Sequence, residues 1–146
     1  MKLLAAALAL LLPAAALAQQ GQVKVENAWA RATPQGAEIA AVYMTLIAPK
    51  PDRLVSVSSP AAMKAEVHEM SMEGGVMRMR ETPAVTLPAD QPVVFRPGGY
   101  HVMLMGLARP LRQGQTVALH LTFANSAPAD VTAQVEGIGA SGPAKP

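Results

Sequence analysis

The sequence predicts an all-β fold, a sandwich or barrel of short strands forming one domain. Three observations carry that expectation. Short β-like runs recur along the chain and are separated by Pro, Gly, Asp and Ser. The breaks carry turn chemistry, as in Pro49-Lys50-Pro51-Asp52, Glu73-Gly74-Gly75, Pro88-Ala89-Asp90, Pro97-Gly98-Gly99 and Gln113-Gly114. Residues 116–124 also alternate cleanly, with Val117, Leu119, Leu121 and Phe123 on one face and Ala118, His120 and Thr122 on the other.

The elements follow in order. Residues 23–26 are a short opening strand, and 37–47 a long one that ends at the Pro-Lys-Pro-Asp turn. Residues 54–58 come next. The Ala-rich stretch 60–66 is read as at most one helical turn. Residues 65–72 and 76–81 flank Gly74-Gly75, a two-residue hairpin signal. Residues 93–96 and 100–106 flank Pro97-Gly98-Gly99, and 116–124 and 131–135 complete the set. His120, on the polar side of its strand, is expected to face solvent and is assigned no role. The glycines and prolines after residue 136 predict a flexible tail over 137–146, leaving 19–136 as the folded domain.

Residues 1–18 read as a secretory leader. Lys2 supplies the positive start, Leu3 to Leu12 the apolar run, and Ala16-Leu17-Ala18 the small-residue cleavage pattern, with cleavage following Ala18. The apolar run is shorter than the roughly 20 residues that a membrane helix needs. No later stretch is long and apolar enough to be one, so the expectation is an exported chain without stable membrane insertion. Its charges are scattered and nearly balanced, twelve basic against ten acidic, which predicts no nucleic-acid surface. With no cysteine, disulfides, thiolate nucleophiles and a Cys-ligated blue-copper site are all excluded.

Methionine is the anomaly. Of nine methionines, six fall between residues 70 and 105. In Tyr100-His101-Val102-Met103-Leu104-Met105, the residues Tyr100, Val102 and Leu104 share one strand face, while His101, Met103 and Met105 share the other. With Gly74-Gly75 as the hairpin loop, Glu73 faces Val76, Met72 faces Met77, Met70 faces Met79 and His68 faces Glu81. His68 and Met79 then become diagonal neighbours on one face. Imidazole and thioether donors together favour a soft metal, Cu(I) above others. Zinc prefers Cys, His and carboxylates, and calcium and magnesium prefer oxygen. Methionines also fill cores. The alternating Glu69, Ser71, Arg78 and Arg80 make one hairpin face wet, so the Met face is either core or site.

The spacing narrows the choice. His68 is followed by ten residues and Met79, then by twenty-one residues and His101-Val102-Met103. Trp29-Ala30-Arg31, Glu66-Val67-His68, Gly74-Gly75-Val76-Met77 and Pro97-Gly98-Gly99-Tyr100-His101 flank these positions. In this pattern the chain resembles periplasmic copper chaperones of the PCu(A)C type over nearly its whole length beyond the leader. The resemblance implies a cupredoxin-like Greek-key β-sandwich or barrel. It implies one Cu(I) held near the surface by His68, Met79, His101 and Met103. It also implies periplasmic delivery to a copper-accepting protein, either the oxidase dicopper centre or a thioredoxin-like copper chaperone. The His- and Met-rich C-terminal extension of some relatives has no counterpart in Ala140-Ser141-Gly142-Pro143-Ala144-Lys145-Pro146, so no tail site for Cu(II) is expected. Met70, Met72, Met77 and Met105 lie outside the four-ligand pattern.

Two other readings compete with the carrier: a copper buffer without a specific acceptor, and a metal-free Met-rich docking module. An enzyme is not expected. No acid–base pair and no nucleophile motif is visible, and an N-terminal histidine brace is incompatible with Gln19 at the expected mature start.

Overall fold

The computed structural model describes residues 21–145, so the leader expected over residues 1–18 lies outside the described residues. Ten strands follow in order: β1 Lys24–Arg31, β2 Ile39–Ile47, β3 Asp52–Ser58, β4 Ala62–Glu73, β5 Val76–Glu81, β6 Val85–Leu87, β7 Val93–Val94, β8 Tyr100–Leu107, β9 Thr116–Phe123 and β10 Ala129–Glu136. They hydrogen-bond in the order β5-β4-β8-β2-β1-β10-β9-β3-β6, with β7 added on β2. Every pairing is antiparallel except β1 with β10, which is parallel. Alternate residues from both ends of this order meet in a single core, including Val67, Val102 and Leu104 from one side and Leu54, Leu119 and Leu121 from the other. A leucine buried as Leu104 is buried stabilises a fold by about 2–5 kcal/mol relative to alanine.

The expected strands are present, with four differences that have physical causes. β1 does not stop at Glu26. Asn27 takes a left-handed φ of 52°, and the β1–β2 register slips between Glu26 and Trp29. Such a bulge lets the strand continue while exchanging its faces. Before it Val25 pairs with buried Leu46, and after it Ala30 pairs with buried Val42, so Trp29 lands on the opposite side beside Tyr43. β4 starts at Ala62 instead of residue 65, because pairing with Leu107 of β8 overrides the helical preference of its alanines. β6 has no counterpart among the expected strands. Four residues between Pro83 and Pro88 are too few to show alternation, yet Val85 and Leu87 are fully buried. The tail expected to fray from residue 137 begins with an anchored turn, in which Arg31 donates two hydrogen bonds, of 2.9 and 2.7 Å, to the Ala140 carbonyl.

β9 alternates as expected, burying Val117, Leu119, Leu121 and Phe123. His120 is on its exposed face, 2.6 Å from Asp130 across the β9–β10 pair.

Candidate metal centre

The β4–β5 hairpin has the register read from the sequence: His68 opposite Glu81, Met70 opposite Met79, Met72 opposite Met77 and Glu73 opposite Val76. Gly74 and Gly75 close it at φ of 57° and 78°. Two successive positive φ angles make the type I′ turn whose twist matches the strands, and glycine adopts them without a Cβ clash.

β8 then lies along the other edge of β4. His101 pairs directly with His68, and Met103 with Glu66. Since β-strand side chains alternate, His68, Met70, Met79, His101 and Met103 all project from one face of β5, β4 and β8. Their neighbours Val67, Val102 and Leu104 project to the core from the other. On β2, Ala41 pairs with Met103 and leaves room there.

A cleft of about 270 Å³ opens on this face, lined by Met70, Met79, His101 and Met103 together with Arg31, Tyr43, Pro97 and Gly98 among others. Three of the four expected ligands therefore share one concavity. His68 is not among its lining residues; its ring centroid lies 5.9 Å from that of His101, across the strand pair. Met79 is 46% exposed, and His101 only 4%.

Each imidazole has one ring nitrogen held by a neighbour. His101 Nδ1 is 3.1 Å from the Gly99 carbonyl oxygen. A carbonyl only accepts, so Nδ1 carries the proton and Nε2 keeps a lone pair. The same carbonyl accepts the Met70 amide at 3.1 Å, which ties the 97–99 turn to β4. Burial pushes the His101 pKa below the ordinary imidazole value, and nearby His68 lowers it further against the opposing pull of the Gly99 carbonyl. His101 is thus neutral at pH 7. His68 Nε2 is 2.9 Å from a Glu66 carboxylate oxygen. Hydrogen bonds from Lys64 first and His68 second hold the Glu66 carboxyl below its usual range, so it is ionised and can only accept. Nε2 therefore donates. The other ring nitrogen of His68, Nδ1, is buried and has no hydrogen-bond partner.

That orphaned atom is a direct test of fit. A buried polar nitrogen without a partner costs free energy, and a bound metal would remove the cost. Carboxylate–histidine pairing of this kind orients a ligating ring and raises its basicity. The candidate donors are two imidazoles and the thioethers beside them, a soft set suited to Cu(I). Among the described residues, no three of His, Asp and Glu gather as hard metals would require. Sequence reading missed Glu66 and Gly99 as orienting groups. The i, i+2 spacing of Lys64, Glu66 and His68 on one strand face was the available signal for the first.

The chain is similar to solved structures along most of its length. It matches a copper-bound PCuAC domain from PmoF2 at 28% identity and a TM-score of 0.68, covering 80% of this chain and 94% of that one. It matches the solution structure of CuI-DR1885 from Deinococcus radiodurans at 33% identity and a TM-score of 0.63, over 84% of this chain and 83% of that one. The fold is therefore the all-β, cupredoxin-like one of PCuAC domains. In sequence, the chain is 31% identical over 119 residues to "Putative lipoprotein Lxx21020" of Leifsonia xyli subsp. xyli (strain CTCB07), covering 81% of this chain and 72% of that protein. The family model described as "Putative lipoprotein LpqE-like" matches residues 23–135. That span runs from just before β1 to the penultimate residue of β10, so this chain belongs to the LpqE-like family.

Proposed function

We propose that this chain is an exported copper carrier. It holds one Cu(I) as cargo through His68, Met79, His101 and Met103, and surrenders it to a copper-accepting protein such as an oxidase dicopper subunit or a thioredoxin-like copper chaperone. The observation that carries the reading is the pair of adjacent imidazoles each left with one unpaired ring nitrogen, Nδ1 at His68 because Glu66 holds Nε2 and Nε2 at His101 because Gly99 holds Nδ1, on the strand face that also bears the thioethers. The likeness to a copper-bound PCuAC domain and to a Cu(I)-loaded relative supports it. The leader pattern of residues 1–18 and the lipoprotein description of the family support export, with the periplasm as the working compartment.

Neutral donors suit a carrier. They bind a soft monovalent ion against water without adding charge, and a thiolate-bearing acceptor outcompetes them. The ligands differ in access. Met79 is about half exposed and His101 is buried, so an acceptor displaces Met79 first and His101 last.

Titration of the protein with Cu(I) under reductant, against a chromogenic chelator, tests the proposal. One tight equivalent is expected, abolished by His101→Ala and weakened at least tenfold by Met79→Ala, the scale of one lost ligand at about 1.4 kcal/mol or more. Failure of the wild type to compete with the chelator would sink the carrier reading. A loaded protein that releases nothing to an apo acceptor would reduce it to a buffer.

A further inference from the structure

The four ligands leave the tip of the β4–β5 hairpin unexplained. All six residues of β5 are exposed, and Met72 and Met77 are 66% and 53% exposed. Methionine ordinarily fills gaps in a core, and no core covers these two. The hairpin's other face is charged, with Glu73 paired to Arg78 and Arg80. The sulfur face is arranged in register: Met70 opposite Met79, and Met72 opposite Met77. Directly opposed side chains start about 4.5–5.5 Å apart at Cβ, and successive residues on one strand face about 6.6 Å apart. Three flexible thioethers at these spacings can converge on one ion.

We propose that Met70, Met72 and Met77 form a second, weaker site for a soft monovalent cation, with Cu(I) as the natural occupant. Thioethers carry no titratable proton and take no hard cation readily, so the site selects by softness alone. It adjoins the cleft, because Met70 lines that cleft and faces Met79. An ion held at the tip can pass inward by exchanging one thioether at a time, with no proton or electron transferred. The site needs neither histidine, so it can stand or fall separately from the four-ligand reading.

The test uses Ag(I), a redox-inert d¹⁰ probe, added to protein labelled with ¹³C at the methionine methyls. The first equivalent is expected to shift Met79 and Met103. Further Ag(I) is expected to shift Met70, Met72 and Met77 at least tenfold more weakly. The double variant Met72→Leu/Met77→Leu should lose the second step and keep the first, since leucine preserves the apolar face and removes the sulfur. His101→Ala should weaken the first step and keep the second. Met72 and Met77 methyls that stay still at a tenfold excess of Ag(I) would overturn this proposal alone, as would a second step that survives in the leucine variant. Absence of both steps would overturn it together with the carrier reading.

Discussion

Glu66 shows how much one side chain can decide. Its carboxylate receives Lys64 on one side and His68 Nε2 on the other, and so presents His68 through Nδ1. His101 is presented through Nε2, because Gly99 occupies its Nδ1. The two rings are therefore oriented by opposite nitrogens. Glu66→Ala is expected to lower Cu(I) affinity about 10–100-fold, the usual cost of losing an orienting partner. Glu66→Gln keeps an accepting oxygen and should fall between the two. Chelator competition gives the affinity, and imidazole ¹⁵N shifts identify the ligating nitrogen. An unchanged affinity in the alanine variant would show that His68 needs no such support.

At the level of the element, the hairpin turns a spacing into a surface. Gly74-Gly75 was legible as a tight turn because two adjacent glycines meet the I′ requirement locally, and the register followed by counting. A one-residue change should therefore be decisive. Insertion of alanine between Gly74 and Gly75 is expected to turn Met77 and Met79 toward the charged face. Cu(I) binding should weaken as far as in Met79→Ala, while the melting temperature changes little, since every residue of β5 is exposed. Retained tight binding would mean that Met79 is not a ligand or that the loop absorbs the insertion. The bulge at Asn27 was not legible in the same way. Its left-handed residue is not a glycine, and only the pairing of Trp29 with Tyr43 and Ala30 with Val42 reveals the slip.

The whole molecule is closed by contacts far apart in sequence. Buried Asp52, at the start of β3, accepts amide hydrogen bonds from Arg53 at 2.8 Å, Asn125 at 2.9 Å and Ser126 at 2.8 Å, pinning the chain that leaves β9. Burial alone would raise its pKa, but hydrogen bonding from the Ser126 side chain and from these amides prevails and the carboxyl sits below its ordinary value. A carboxyl lowered on folding stabilises the fold above its unfolded pKa, near 3.9, and that contribution is lost as pH falls through the folded value. Asp52→Asn is expected to cost about 1.5–3 kcal/mol at pH 7, the range for a hydrogen bond to a charged group. The difference from wild type should shrink toward pH 3. Urea denaturation at both pH values checks this, and a pH-independent difference would place the loss in packing instead of charge.

Short-range physics makes much of this protein readable from its sequence alone. Alternation placed Val102 and Leu104 opposite His101 and Met103, and a two-glycine turn placed Met70 against Met79. Both depend only on residues a few positions apart. Tertiary structure decided the rest. β8 lies between β4 and β2, none of them adjacent in sequence, and that order sets His101 against His68 and Met103 against Ala41. It buries His101 in the lining of a cleft and leaves His68 beside it, held by Glu66. Donor types and spacing are properties of the chain. Which nitrogen is free, and which thioether is exposed, depends on packing between distant segments.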